Sequence, residues 1–366
     1  TPGYPATVGR SGGTLRQELQ GRLGGEGWLL QGGWRSEAAP GQTPQWHGEV
    51  QQAYYDGQGG DGWGWTLGRK VLASPLGFGF RPLDLIQQEN RRSFNPLPLR
   101  GVPLLALERL RADAAGEGAS SLVASFPEQT PQQPALTWRR FENADSRESH
   151  LIGQYQRGRG WALGGGLMAT PDADSAWHAA LLWRQQGEEV RHALLADPAA
   201  GALATDSPLS RQGRGRFFQA VAGWQWTSPA GWEMLAEAWY DGAAWGAGAW
   251  RALQQLSERQ RQLAGLAPAA AVAGNLAWNA QSFQGANLLP WNLLLRLTRN
   301  EGDRLLYIEA LSTPEDGGQA WTLGGEWRGD RQRWRLGWRH YAGPAASAFA
   351  QLPIRQLGFV SWQIAF

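Results

Sequence analysis

Apolar and polar residues alternate with period two along stretch after stretch of this chain, and that pattern restricts what it can fold into. Trp28, Leu30, Gly32 and Trp34 share one face of segment 28–35, opposite Leu29, Gln31, Gly33 and Arg35. Trp177, Ala179, Leu181 and Trp183 oppose His178, Ala180, Leu182 and Arg184. Trp321, Leu323, Gly325 and Trp327 oppose Thr322, Gly324, Glu326 and Arg328. Trp334, Leu336 and Trp338 oppose Arg333, Arg335, Gly337 and Arg339. Period two describes a strand with one apolar and one wet face. Similar segments lie near 14–23, 46–56, 63–70, 102–111, 119–126, 135–141, 150–156, 161–168, 190–196, 217–227, 232–240, 291–298, 304–312 and 354–366. Turn residues stand between them, as in Ser228-Pro229-Ala230-Gly231, Gly302-Asp303 and Gly329-Asp330, so neighbouring strands read as hairpins. No repeat of fixed length stands out, which argues against a propeller.

What the apolar face meets decides the class. In a soluble sandwich it would pack on a second sheet, where so many bulky indoles would not fit. The chain has 22 Trp and 50 Gly among 366 residues, with only 18% charged residues and no Cys. Disulfide and Cys-metal scaffolds are therefore excluded. A mean hydropathy of −0.44 excludes a bundle of membrane helices. The aromatic content and a net charge of only +2 exclude intrinsic disorder. Trp on an apolar strand face suits a membrane barrel, whose interfaces carry aromatic girdles. Trp28, Trp34, Trp177, Trp183, Trp321, Trp327, Trp334 and Trp338 are the candidate membrane-interface residues. Pairs six residues apart span about 20 Å along a strand. After tilt this is about 15 Å in height, less than the apolar band. Arg, Glu, Gln and His on the other face would be costly in a dry core and fit a wet lumen. The expectation is an all-β, transmembrane antiparallel up-and-down β-barrel of about 16–18 strands. Residues 1–366 would form one barrel.

The last strand carries a resemblance. Val360, Trp362, Ile364 and Phe366 alternate up to the final residue. A strand with a terminal Phe and alternating apolar residues resembles the C-terminal assembly signal of Gram-negative outer-membrane β-barrels. The resemblance implies insertion by the barrel-assembly machinery and an outer-membrane location among outer-membrane lipids and lipopolysaccharide. It also implies a signal peptide removed beforehand, since the opening Thr1-Pro2-Gly3-Tyr4-Pro5 lacks the features of one. Leu67-Gly68-Arg69 and Arg81-Pro82-Leu83-Asp84 resemble segments of alginate-export-type and related substrate-specific barrels.

Two segments break the strand rhythm. Segment 71–101 is rich in Pro and Gly yet apolar in places, which predicts a packed loop; in a barrel it can fold into the lumen and constrict it. Its polar candidates are Arg81, Asp84, Arg91 and Arg92. In segment 243–273, Trp250, Leu253, Leu256 and Leu263 fall near one side of a helix, so a partly helical loop is expected there. The longest uncharged stretch, between Arg261 and Arg296, is interrupted by Gly and Pro and does not read as a spanning helix.

No metal-binding or nucleophile motif occurs around His47, His150, His178, His192 or His340. No catalytic residue, metal or cofactor is expected, and the chain does not read as an enzyme. Lys70 is the one lysine among 34 basic residues, and the arginines are scattered singly, so no nucleic-acid partner is expected. The lumen argument is electrostatic. Arg333, Arg335 and Arg339 share one strand face, and Arg35, Arg184, Arg296 and Arg328 sit on wet faces elsewhere. Arginine rings select anions in pores. Glu233 and Glu237 share a wet face as well, and could pair with those charges. Two readings follow: a channel passing or exporting polar or anionic solutes or polymers, and a structural barrel that anchors a periplasmic or surface partner. A soluble Trp-rich carbohydrate-binding protein ranks below both, and a TonB-type receptor is disfavoured because the chain lacks room for its plug and larger barrel.

Overall fold

The computed structural model describes residues 13–41, 43–74, 76–87, 89, 98–113, 116–127, 132–197 and 201–365. Phe366, Arg91 and Arg92 lie outside the described residues. The chain begins with ten strands joined as consecutive hairpins: β1 (Leu15–Gly25), β2 (Trp28–Ala38), β3 (Gln45–Gln58), β4 (Trp63–Lys70), β5 (Val102–Asp113), β6 (Gly116–Ser125), β7 (Ala135–Ala144), β8 (Arg147–Gln156), β9 (Gly160–Ala169) and β10 (Ser175–Arg184). An excursion follows, with β11 (Gly187–His192), a helical turn α1 (Ala193–Ala196) and β12 (Leu209–Arg214). The wall resumes with β13 (Phe217–Thr227) and β14 (Trp232–Asp241). Helices α2 (Ala247–Gln262) and α3 (Ala269–Gln281) then precede β15 (Trp291–Glu301), β16 (Arg304–Thr313), β17 (Gly318–Arg328), β18 (Gln332–Ala342) and β19 (Gln356–Ile364).

Every strand except β11 and β12 belongs to one 17-stranded sheet, each strand antiparallel to its sequence neighbour. This is the up-and-down wall of a transmembrane β-barrel. Among the described residues no pairing joins β1 to β19. The alternation read from the sequence is the alternation of burial. On β10, His178, Ala180, Leu182 and Arg184 are buried, whereas Trp177, Ala179 and Leu181 are exposed. On β14, Leu235, Glu237, Trp239 and Asp241 are buried and their neighbours are not. The outer face is apolar throughout: Trp28, Trp34, Trp177, Trp321, Trp327, Trp334 and Trp338 are exposed there beside Leu105, Leu163, Leu295 and Leu323. Trp183 is half-buried. Val360, Trp362 and Ile364 of β19 are exposed, and the Trp362 ring stacks on Trp334 at 5.8 Å. So large an exposed apolar surface is stable only against lipid. Among the described residues no helix is long and apolar enough to cross a membrane.

Connections differ sharply between the two ends. One end has short turns only, such as 26–27, 145–146 and 302–303; the other carries the long excursions 71–101, 185–216, 242–290 and 343–355. Described residues of the first reach into the interior, and those of the third cover its end. Leu76 and Leu83 of the first pack on Ile152, Ala162, Ala180, Leu182, Val221, Leu235, Trp239 and Leu294, which face inward from β8 to β15. At the long-loop end, Trp250 and Leu253 of α2 join Phe283, Leu288 and Leu289, and cover Ala320 and Tyr341 at the ends of β17 and β18.

Two expectations need correction. Segment 190–196 is not a wall strand. Val190–His192 pairs with β12 in a separate hairpin, and Ala193–Ala196 turns into α1. The Ala-Leu-Leu-Ala run has good helix formers and no polar alternation, so its short apolar content suits either state. The helical insertion also reaches beyond 273, because α3 continues to Gln281. Its polar side chains, described below, give it an inward face that apolar periodicity does not mark.

Candidate functional site

The site is built where segment 76–85 meets the inner wall. Glu237 sits mid-way along β14, and its side chain is fully buried. Its Oε1 accepts the backbone N–H of Phe78 at 2.6 Å, and its Oε2 accepts that of Gly79 at 2.6 Å. His178 Nε2, from β10, lies 2.7 Å from the same Oε1. A buried carboxylate needs such partners to offset its desolvation. The loop backbone is thus fastened to the wall at one carboxylate.

Apolar contacts complete the attachment. Phe80 stacks on Trp239 with ring centroids 6.3 Å apart, and a Cβ on Gly79 would stand 2.8 Å from the Trp239 ring. Trp239 faces inward, unlike the exposed indoles of the outer surface, and its Nε1 donates to Asn287 Oδ1 at 2.9 Å. Gly164 and Gly166 of β9 leave hollows for the loop. A Cβ on Gly166 would lie 2.3 Å from Leu76 Cδ1, and one on Gly164 would lie 2.8 Å from Leu83 Cδ2. Glycine inside a strand often marks such a close approach. The loop is also braced internally: the Ser74 N–H donates to buried Asp84, and Arg81 Nε donates to the Gly77 carbonyl at 2.9 Å.

Beside the loop runs a charged row. Arg296, Glu309, Thr322 and Arg339 are successive cross-strand partners on β15, β16, β17 and β18. Arg339 Nη2 lies 3.2 Å from Glu309 Oε1, and Arg339 Nε donates to Thr322 Oγ1 at 2.8 Å. Arg296 Nη1 stands 3.6 Å from Glu309 Oε2. The Arg296 guanidinium also lies over the rings of Tyr307, at 3.8 Å, and Phe78, at 5.3 Å. Two guanidinium groups thus share one carboxylate, and the loop tip touches one of them.

The other sequence candidates fall elsewhere. Arg333 and Arg328 both pair with Glu326 near the short-turn end, where the arginines are exposed. Arg335 lies over the Phe359 ring at 5.7 Å. Glu233 shares the inward parity of Glu237 but is half-buried near the 228–231 turn. Arg184 is buried at the long-loop end of β10. The structure thus brings the loop against Glu237 and Arg296, puts Arg339 on the far side of Glu309, and leaves Arg333, Arg328 and Glu233 toward the short-turn end. Sequence reasoning put Arg296 on a wet face; it missed the inward Trp239, and His178 as the second partner of Glu237. The Gly164-Gly165-Gly166 run inside a strand was the available signal for the loop's seat. Among the described residues no group of His, Asp and Glu is arranged to hold a metal ion.

The long-loop end is capped by a buried polar network. His192 Nε2 lies 3.0 Å from Asn279 Oδ1, whose Nδ2 donates to Ser257 Oγ at 2.8 Å and Gln260 Oε1 at 2.9 Å. Gln260 and Asn275 reach back to the carbonyls of Ala202 and Ala204. Asn275 and Asn279 are four residues apart on α3 and so share a face. Burial pulls the His192 imidazole below its ordinary value of 6.5, only partly offset by Asn279. A released loop takes up the proton first, so the cap has its full stability above about 6.5 and loses it as pH falls. Proteolysis within 185–216 and 242–290 is expected to accelerate as the pH falls below about 6.5. His192→Gln should flatten that dependence, and an unchanged pH profile in the variant would contradict this assignment.

No protein-family model matches the chain, and no curated protein matches its sequence. Solved structures do match its fold. One is Wzi of Escherichia coli, an outer-membrane protein involved in group 1 capsule assembly and described as a carbohydrate-binding β-barrel. It aligns with a TM-score of 0.53 at 11% identity, covering 90% of this chain and 74% of Wzi. The fold is that of the outer-membrane β-barrels. OccK5 of Pseudomonas aeruginosa aligns with a TM-score of 0.50 at 9% identity, covering 98% of this chain and 94% of OccK5. An apolar exterior on an antiparallel barrel places this chain in the same kind of membrane, the Gram-negative outer membrane.

Proposed function

We propose that the protein is an outer-membrane channel for polar, preferentially anionic solutes, narrowed by segment 76–85 beside the Arg296–Glu309–Arg339 row. The observation that carries this reading is the Glu237 anchor, which holds a chain segment across part of the interior next to two arginines on one carboxylate. Short turns mark the periplasmic end of such barrels and long loops the outer end. The α2–α3 cap then faces outside, and Arg333, Arg328 and Glu326 face the periplasmic mouth. Fixed guanidinium groups attract anions and grip carboxylate or phosphate with a planar fork. Assembly by the barrel-assembly machinery and contact with lipopolysaccharide belong to the same proposal. The test is reversal potential in a planar bilayer under a salt gradient. Arg296→Gln with Arg339→Gln leaves Glu309 unopposed, so the anion bias is expected to shift toward cations. An unchanged reversal potential would separate this row from transport.

A second reading is an anchoring barrel whose capped outer end binds a partner. The interlocked excursions 185–216 and 242–290 favour it, because they cover the end of the interior. The similarity to Wzi supports a saccharide as such a partner. A barrel that inserts but passes no current would favour this reading over the channel.

A further inference from the structure

A second cluster of arginines lies apart from the loop anchor, at the outer rim of the lumen. Arg184 ends β10 and faces inward, opposite Ala162 on β9 and Phe217 on β13. It is only 9% exposed, yet its Nε has no hydrogen-bond partner. Arg159, in the turn between β8 and β9, also has a buried Nε without a partner. The two are held near one another, because the Gln185 N–H donates to the Trp161 carbonyl at 2.8 Å and Gln185 Oε1 accepts the Trp161 N–H at 3.1 Å. Their charges repel across that gap. Gln219, diagonal to Arg184 on β13, has a buried Oε1 without a partner too.

The acidic neighbours do not resolve this. Asp241 attracts Arg184, but its carboxylate already accepts from Gln219, the Ala243 N–H and Asn287. Glu188 pairs with Arg159 through Nη2 at 2.7 Å, and with Arg211 at 3.6 Å. The buried Arg184 and the quarter-exposed Arg159 each keep a buried Nε–H without an acceptor, and so leave room for an external one. Unpaired buried charge is expensive, and an oxyanion bridging the two forks would remove both the repulsion and the orphaned donors.

We propose that Arg184 and Arg159 form a binding site for a carboxylate or phosphate group of a solute entering the lumen. The site deepens the channel reading, since it would concentrate anions ahead of the constriction, but it can exist in a silent barrel. Arg184 faces the interior, so the anion is a dissolved one and not a lipid headgroup.

The test is calorimetric titration of the folded, detergent-purified protein with glucuronate and with inorganic phosphate. Glucose, which has the same ring without the charge, is the control. Glucuronate or phosphate is expected to bind and glucose is not. Arg184→Gln should weaken that binding at least tenfold, and Arg159→Gln by a similar factor. Arg304→Gln, exposed at the short-turn end of β16, should leave it unchanged. Should Arg184→Gln fail to fold, Arg159→Gln at the turn carries the test alone. Binding lost with glucuronate only would mark a carboxylate site, and loss with both a general oxyanion site; each supports the proposal. Absence of binding to the parent protein, or binding by the Arg159 and Arg184 variants as tight as that of the parent, would overturn it. A parent protein that binds glucuronate through these arginines yet shows no anion bias in the bilayer would support this site and count against the constriction.

Discussion

Replacing Glu237 with alanine is expected to raise single-channel conductance several-fold and make segment 76–85 accessible to protease from within the lumen. Glu237 accepts the Phe78 and Gly79 amides. Leaving a buried donor unsatisfied costs about 1–3 kcal/mol. Two such losses exceed the ~1.4 kcal/mol that changes an equilibrium tenfold. The equilibrium between seated and released loop should then shift by about thirtyfold or more. Glu237→Gln keeps one acceptor and should give an intermediate effect. The wall itself should survive, because the β13, β14 and β15 ladders do not use the Glu237 side chain. Conductance equal to that of the parent protein would mean that the segment does not limit flow.

Gly166→Leu should displace the same segment by a steric route. The added Cβ would meet Leu76 Cδ1 at 2.3 Å and the Ala179 carbonyl at 2.8 Å. Forcing extra atoms into a filled site costs typically 1–3 kcal/mol, and the loop can yield more readily than two paired strands. Conductance should rise as in the Glu237 variant. Combining Gly166→Leu with Leu76→Ala should recover part of the lost stability, since the shortened loop side chain leaves space. No recovery would place the clash at the Ala179 backbone and not at the loop.

Both variants probe contacts that were unequally legible in the sequence. The strands were legible because a lipid-facing wall imposes period two, and period two is local. Trp177 to Arg184 shows it residue by residue, and the burial on β10 follows the same parity. The inward side of Glu237 was legible by the same parity. Its partners were not: Phe78 and Gly79 stand more than 150 residues away in sequence, and nothing local joins them. Trp239 shows the limit from the other direction. A tryptophan on an inward position reads as an inconsistency until the loop that covers it is known. Segment 190–196 failed for a different reason, since a short apolar run fits a strand or a helical turn. Asn275 and Asn279 lie in an apolar, Ala-rich helix, and two amides on one helix face were the missed sign of its buried polar contacts.

A conducting barrel whose fixed charge favours anions has a direct electrical signature. The most direct measurement is the zero-current potential of single channels of the purified protein in a planar bilayer with a salt gradient. Discrete openings with an anion-biased potential that falls in the Arg296→Gln, Arg339→Gln double variant are the predicted result. A barrel that inserts, folds and stays silent, or one whose potential is cation-biased in the parent protein, would contradict the account.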